Sequence, residues 1–67
     1  MATLIRKIAE YLIRNWPKLS DWIKKAIIAV AGSAIVNAIA QGLSALIDYL
    51  SGLSSTVIEA IAKLLGF

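Results

Sequence analysis

Residues 26–47 read AIIAVAGSAIVNAIAQGLSALI, 22 consecutive positions without a charged side chain. Wholly helical, such a run measures about 33 Å and is long enough to cross a bilayer core. Its interior argues for a different use. Gly32 followed by Ser33 places a helix stop and a helix cap inside the run, so it divides before it can span. Asn37, Gln41 and Ser44, continued by Asp48, then step by four, three and four positions along one narrow stripe, and a lipid-surrounded helix would strand those side chains. The reading is a helix over 34–50, apolar on its other faces, that forms the centre of a bundle.

The flanking sequence extends the helical pattern. Thr3 caps a helix over 4–15 with Thr3, Arg6, Lys7, Glu10 and Arg14 on one arc and Leu4, Ile5, Ile8, Tyr11 and Leu12 opposite. Pro17 suits the first position of a second helix, 17–31, with Lys18, Asp21, Lys24 and Lys25 facing away from Leu19, Trp22, Ile23, Ala26, Ile27 and Val30. Gly52 ends the third helix, and a fourth runs over 56–65, with Thr56 and Glu59 at capping-box spacing and Glu59 and Lys63 four apart. No strand-period alternation interrupts this. The expected fold is all-α, a compact four-helix bundle of short amphipathic helices in one domain over 1–67.

Composition narrows function mainly by exclusion. The chain is 60% hydrophobic and 16% charged, with no Cys and no His. Thiolate nucleophiles, disulfides, the usual zinc ligand sets and imidazole acid–base chemistry are absent together. The serines lack a histidine partner and no Ser-x-x-Lys spacing occurs. Glu10, Asp21, Asp48 and Glu59 fall one to a helix, the pattern of surface charge balance rather than of a paired-carboxylate site. The expectation is no enzyme, no metal and no cofactor. Asp48 alone interrupts the uncharged helix; it faces solvent beside Gln41 and Ser44, or pairs with a basic residue of the first two helices and holds the bundle closed.

Charge is lopsided. Residues 1–32 carry Arg6, Lys7, Arg14, Lys18, Lys24 and Lys25 against Glu10 and Asp21, whereas residues 33–67 carry Lys63 against Asp48 and Glu59. A basic amphipathic half joined to a nearly uncharged half fits an anionic lipid surface better than nucleic acid, which needs a concentrated basic face with base-stacking residues. Trp16 and Trp22 have two readings, as packing residues between helices or as amphipathic rings at a membrane interface near Lys18, Lys24 and Lys25. Lys24 and Lys25 followed by an apolar run to Ala38-x-Ala40 imitate a secretory signal at an internal position, while Arg6, Lys7, Glu10 and Arg14 break up any conventional leader before it.

With its Met1-Ala2 start, its lack of cysteine and its Lys/Trp segment Lys18-Leu19-Ser20-Asp21-Trp22-Ile23-Lys24-Lys25, the chain resembles the leaderless bacteriocins. Its Ala/Ile/Gly-rich second half resembles the circular bacteriocins. The resemblance implies a saposin-like packing of short helices and a secreted antibacterial peptide that permeabilises the anionic membranes of target bacteria without a cofactor. It further implies Arg6, Lys7, Arg14, Lys18, Lys24 and Lys25 as cations facing lipid phosphate, with Trp16 and Trp22 as interface residues. Two other classes stay open: a helical interaction module or homo-oligomer that covers its apolar surplus by association, and a small membrane toxin or holin-like protein spanning with residues 26–47.

Overall fold

A computed structural model describes residues 2–67. The expected first helix is present as α1, Ala2–Asn15. Its buried residues Ile5, Ile8, Ala9 and Leu12 recur at helical spacing, and Thr3 lies inside the first turn rather than at a cap. At its end the Asn15 side-chain amide donates to the Tyr11 carbonyl at 3.0 Å, one turn back along the helix. Pro17 then shapes a 3₁₀ turn, Trp16–Lys18. The chain runs extended through Leu19 (φ −71°, ψ 146°) and Ser20 (φ −65°, ψ 154°), so the second helix, α2, is Asp21–Ala31 and not 17–31. Ser20 supplies the extended residue that a helix start needs, and Asp21 puts a negative charge in the first turn, where the helix dipole favours it.

The helix expected over 34–50 is two helices, α3 (Ala34–Gln41) and α4 (Leu43–Ser51). Gly42 divides them with φ 116° and ψ −179°, a conformation open to glycine and strained for any other residue. This one residue serves both helices: its N–H donates to Ala38 and Ile39, and its carbonyl accepts from Leu46 N at 3.0 Å. The break lets α3 and α4 pack directly on each other. Gly32 acts similarly between α2 and α3 (φ 96°), which are bent by 105°. Among the described residues no single helix is long and apolar enough to cross a membrane, though α2 and α3 together have the length and composition for it.

The last helix, α5, is Ser55–Leu64. Its cap is Ser54, whose hydroxyl accepts from Val57 N at 3.3 Å, in place of the expected Thr56. Its far end closes in a Schellman turn: Phe67 N–H donates to Ala62 at 2.9 Å and Gly66 N–H, at φ 87°, to Lys63 at 3.1 Å.

Five α-helices therefore form the bundle in place of the expected four. α1 packs chiefly on α4 and also on α5, while α2 packs on α5 and α3. Every helix sends at least one fully buried aliphatic side chain inward: Ile8 and Leu12, Ile27, Ile35, Leu46 and Leu50, Ile58 and Ile61. No polar or charged side chain is buried among the described residues. The Cα radius of gyration, 10.3 Å, is close to the roughly 11 Å typical of a folded chain this long, so one core organises the described chain.

Candidate functional site

On α2 the stripe Ile23, Ile27 and Ala31 turns toward the core, each residue one turn beyond the last. Trp22 lies 100° around the helix from Ile23, on the side of Ala26 and Ala29. The residue is 65% exposed, the largest exposure among the large hydrophobic residues described, and Val30 is 41% exposed. The expected inward face of this helix is accordingly too wide. Trp22 and Val30 face outward because the packed side of α2, which meets α5 and α3, is carried by Ile23, Ile27, Ile28 and Ala31. Lys25 is exposed about one turn beyond Trp22, and Lys18 is exposed on the preceding 3₁₀ turn. Lys24 is half-buried, and a lysine so placed lays its alkyl stem along the protein while its charge reaches water.

Trp16 has the other environment. It is half-buried and packed against the core cluster. The two tryptophans, open to the same pair of readings in the sequence, are separated by burial: Trp16 is a packing residue and Trp22 an outward one.

The cations of α1 form a second group on a helix with different neighbours. Arg6 is exposed and its Nε lies 3.6 Å from Glu10 Oε2, an exposed pair one turn apart of a kind worth about 0.3–0.5 kcal/mol. Lys7 and Arg14 are exposed and line a groove of ≈ 230 Å³ with Glu10, Tyr11, Asn15 and Phe67. The Phe67 ring meets the Tyr11 ring edge to face, with centroids 5.5 Å apart and planes at 87°. Phe67 was no sequence candidate; the Leu65-Gly66-Phe67 end, with its signal for a helix stop and reversal, was the clue that an aromatic would be folded back.

The polar stripe survives the break at Gly42 in part. Asn37, Gln41, Ser44 and Asp48 are all exposed, and three of them (Asn37, Gln41 and Asp48) line an open groove of ≈ 500 Å³ on α3 and α4 with Ala34, Ala38, Ala45 and Tyr49. Asp48 makes no ion pair among the described residues, so it is a solvent-facing carboxylate and not a closing bridge. Among the described residues no cluster of three or more His, Cys, Asp or Glu could hold a metal ion.

The exposed surface thus combines two groups of cations with outward apolar side chains, over a core in which, among the described residues, every buried side chain is aliphatic. Comparison with protein-family models, with curated proteins and with solved structures found no match to this chain.

Proposed function

We propose that this chain is a secreted, cationic antibacterial peptide of bacteriocin type that permeabilises anionic membranes, without catalysis or cofactor. The observation that carries the reading is Trp22, a tryptophan 65% exposed on a basic helix, with exposed Lys18 and Lys25 near it in the chain. An amphipathic ring so placed gains little in water and seats well among lipid headgroups. Adsorption begins with Arg6, Lys7, Arg14, Lys18, Lys24 and Lys25, at about 1 kcal/mol per cation near an anionic surface. Trp16 joins only once the bundle loosens.

Insertion then exchanges one apolar environment for another. Among the described residues the buried side chains of the interior are all aliphatic, so when α3, α4 and α5 turn their inner faces to acyl chains the polar side chain that loses its partner is the half-buried Tyr49, whose hydroxyl gives up its bond to the Ala31 carbonyl. We read the packing of short amphipathic helices around that interior as saposin-like, an arrangement suited to such opening. The resemblance to leaderless and circular bacteriocins supports the same conclusion and the same target, the membrane of other bacteria.

Dye release from anionic and zwitterionic vesicles, at low and raised salt, tests the reading. Leakage confined to anionic vesicles and weakened by salt is expected. Replacing Lys24 and Lys25 together by Gln should weaken adsorption and flatten its salt dependence; unchanged binding would count against the assignment. A second reading, a helical module that binds a protein or its own copy, draws on the small-residue groove of Ala34, Ala38 and Ala45. A stable dimer without vesicle affinity would favour it.

A further inference from the structure

We propose that the groove between α1 and Phe67 binds the phosphate headgroup of an anionic glycerophospholipid, a site that rests on the membrane reading above and gives it a specific contact. Lys7, Tyr11 and Arg14 follow one another at four and three positions, so they share one face of α1 across about 10 Å of helix. Both cations are exposed and long enough to converge on one anion between them. Glu10 also lines the groove, but its carboxylate is engaged by Arg6 from the turn before. Lys7 and Arg14 have no acidic partner among the described residues, so neither cation is neutralised by a close ion pair.

The remaining wall is apolar and held in place. The Schellman turn at Gly66 folds Phe67 back, and its edge-to-face contact with Tyr11 fixes the ring beside the cations while 49% of the residue stays exposed. A free phosphate ion would use only the two cations. A phospholipid uses both parts, its phosphate between Lys7 and Arg14 and its glycerol and first acyl carbons along Phe67 and Tyr11. The groove's ≈ 230 Å³ suits one headgroup, below the roughly 300 Å³ at which pockets for drug-sized molecules begin. Lys18 and Lys25, by contrast, line neither this groove nor the one on α3 and α4, and contribute attraction at a distance.

The test is titration of the full chain with short-chain phosphatidylglycerol below its micellar concentration, followed by amide chemical shifts. Parallel titrations use inorganic phosphate and short-chain phosphatidylcholine. Saturable shifts centred on residues 7–15 and on Phe67 are expected with phosphatidylglycerol. Lys7→Gln and Arg14→Gln should each weaken binding fivefold or more and Phe67→Ala about threefold, whereas Lys63→Gln, which removes the same charge from α5, should change it less than twofold. Equal losses for Lys7→Gln and Lys63→Gln would overturn the site, as would equal saturation by inorganic phosphate or by phosphatidylcholine. Vesicle leakage by the same proteins separates the two levels. Leakage that persists while the site fails its titration overturns the site alone; a parent chain that neither leaks vesicles nor binds the short-chain lipid overturns the membrane reading with it.

Discussion

The Tyr49 hydroxyl donates to the carbonyl oxygen of Ala31, joining α4 to the last residue of α2. Among the described residues it is the only side-chain hydrogen bond that links helices distant in the chain; the others span three or four residues. It sits where α2 turns through 105° into α3, so it restrains the corner that would have to open for α2 and α3 to align. Tyr49→Phe keeps the ring and removes the donor. It should lower stability by about 1 kcal/mol, equivalent to about 4–8 °C in Tm, and speed vesicle leakage. Circular dichroism melts and leakage rates on the same variant check both; an unchanged melt with faster leakage would separate the latch from global stability.

Glycine substitutions distinguish backbone strain from contact. Gly42, at φ 116°, has open space where a Cβ would stand, so Gly42→Ala should cost about 1–3 kcal/mol through the backbone alone. Gly32, at φ 96°, would in addition place its Cβ 3.0 Å from the Tyr49 hydroxyl, and Gly32→Ala should cost more. Gly52, at φ −84° and ψ −6° with an ordinary 3.5 Å contact, should accept Ala within about 0.5 kcal/mol. Denaturant unfolding gives the order. The Gly32→Ala penalty should shrink in a Tyr49→Phe background, since the contacting hydroxyl is then missing.

Ser54 and Thr56 make opposite predictions about where α5 begins. Ser54→Ala removes the hydroxyl that accepts from Val57 N and should cost about 0.5–2 kcal/mol. Thr56→Ala, within the first turn and exposed, should be near neutral or slightly stabilising. Urea unfolding of the two variants decides; a larger loss at Thr56 would move the cap.

The two tryptophans should report different environments. Trp22→Ala should leave stability within about 0.5 kcal/mol and reduce partition into anionic vesicles, because its ring is mostly in water. Trp16→Ala should destabilise the free protein, because its ring packs against the core. Fluorescence of single-tryptophan forms, Trp16→Phe and Trp22→Phe, checks the assignment: emission from Trp22 should start red and move blue on adding vesicles, and emission from Trp16 should start blue.

Core truncation sets the scale for these effects. Leu46→Ala empties a fully buried position on α4, the helix that packs on both α1 and α3. The expected loss is about 2–5 kcal/mol, comparable to the whole stability of a domain this small, so the variant should be largely unfolded at 25 °C by circular dichroism.

By itself the sequence determined that the chain is helical, that Ile5, Ile8 and Leu12 of the first helix point inward, and that helices stop at Gly32 and Gly52 and before Gly66. These are local matters, set by 3.6-residue periodicity and by backbone conformations that glycine and proline favour or forbid. Gly42 shows where local reasoning ends. A glycine within a regular apolar pattern can be carried inside a helix at about 1 kcal/mol or can divide it, and what decides is whether the two halves bury more by folding on each other. Here α3 and α4 pack together, and the break is the outcome. The same holds for the candidate surface. The cations were legible as residues, but the exposure of Trp22, the burial of Trp16 and the meeting of Phe67 with Tyr11 depend on which neighbours occupy the rest of each helix face. Only the tertiary structure assigns those neighbours, because a helix's buried stripe is as wide as what packs on it and no wider.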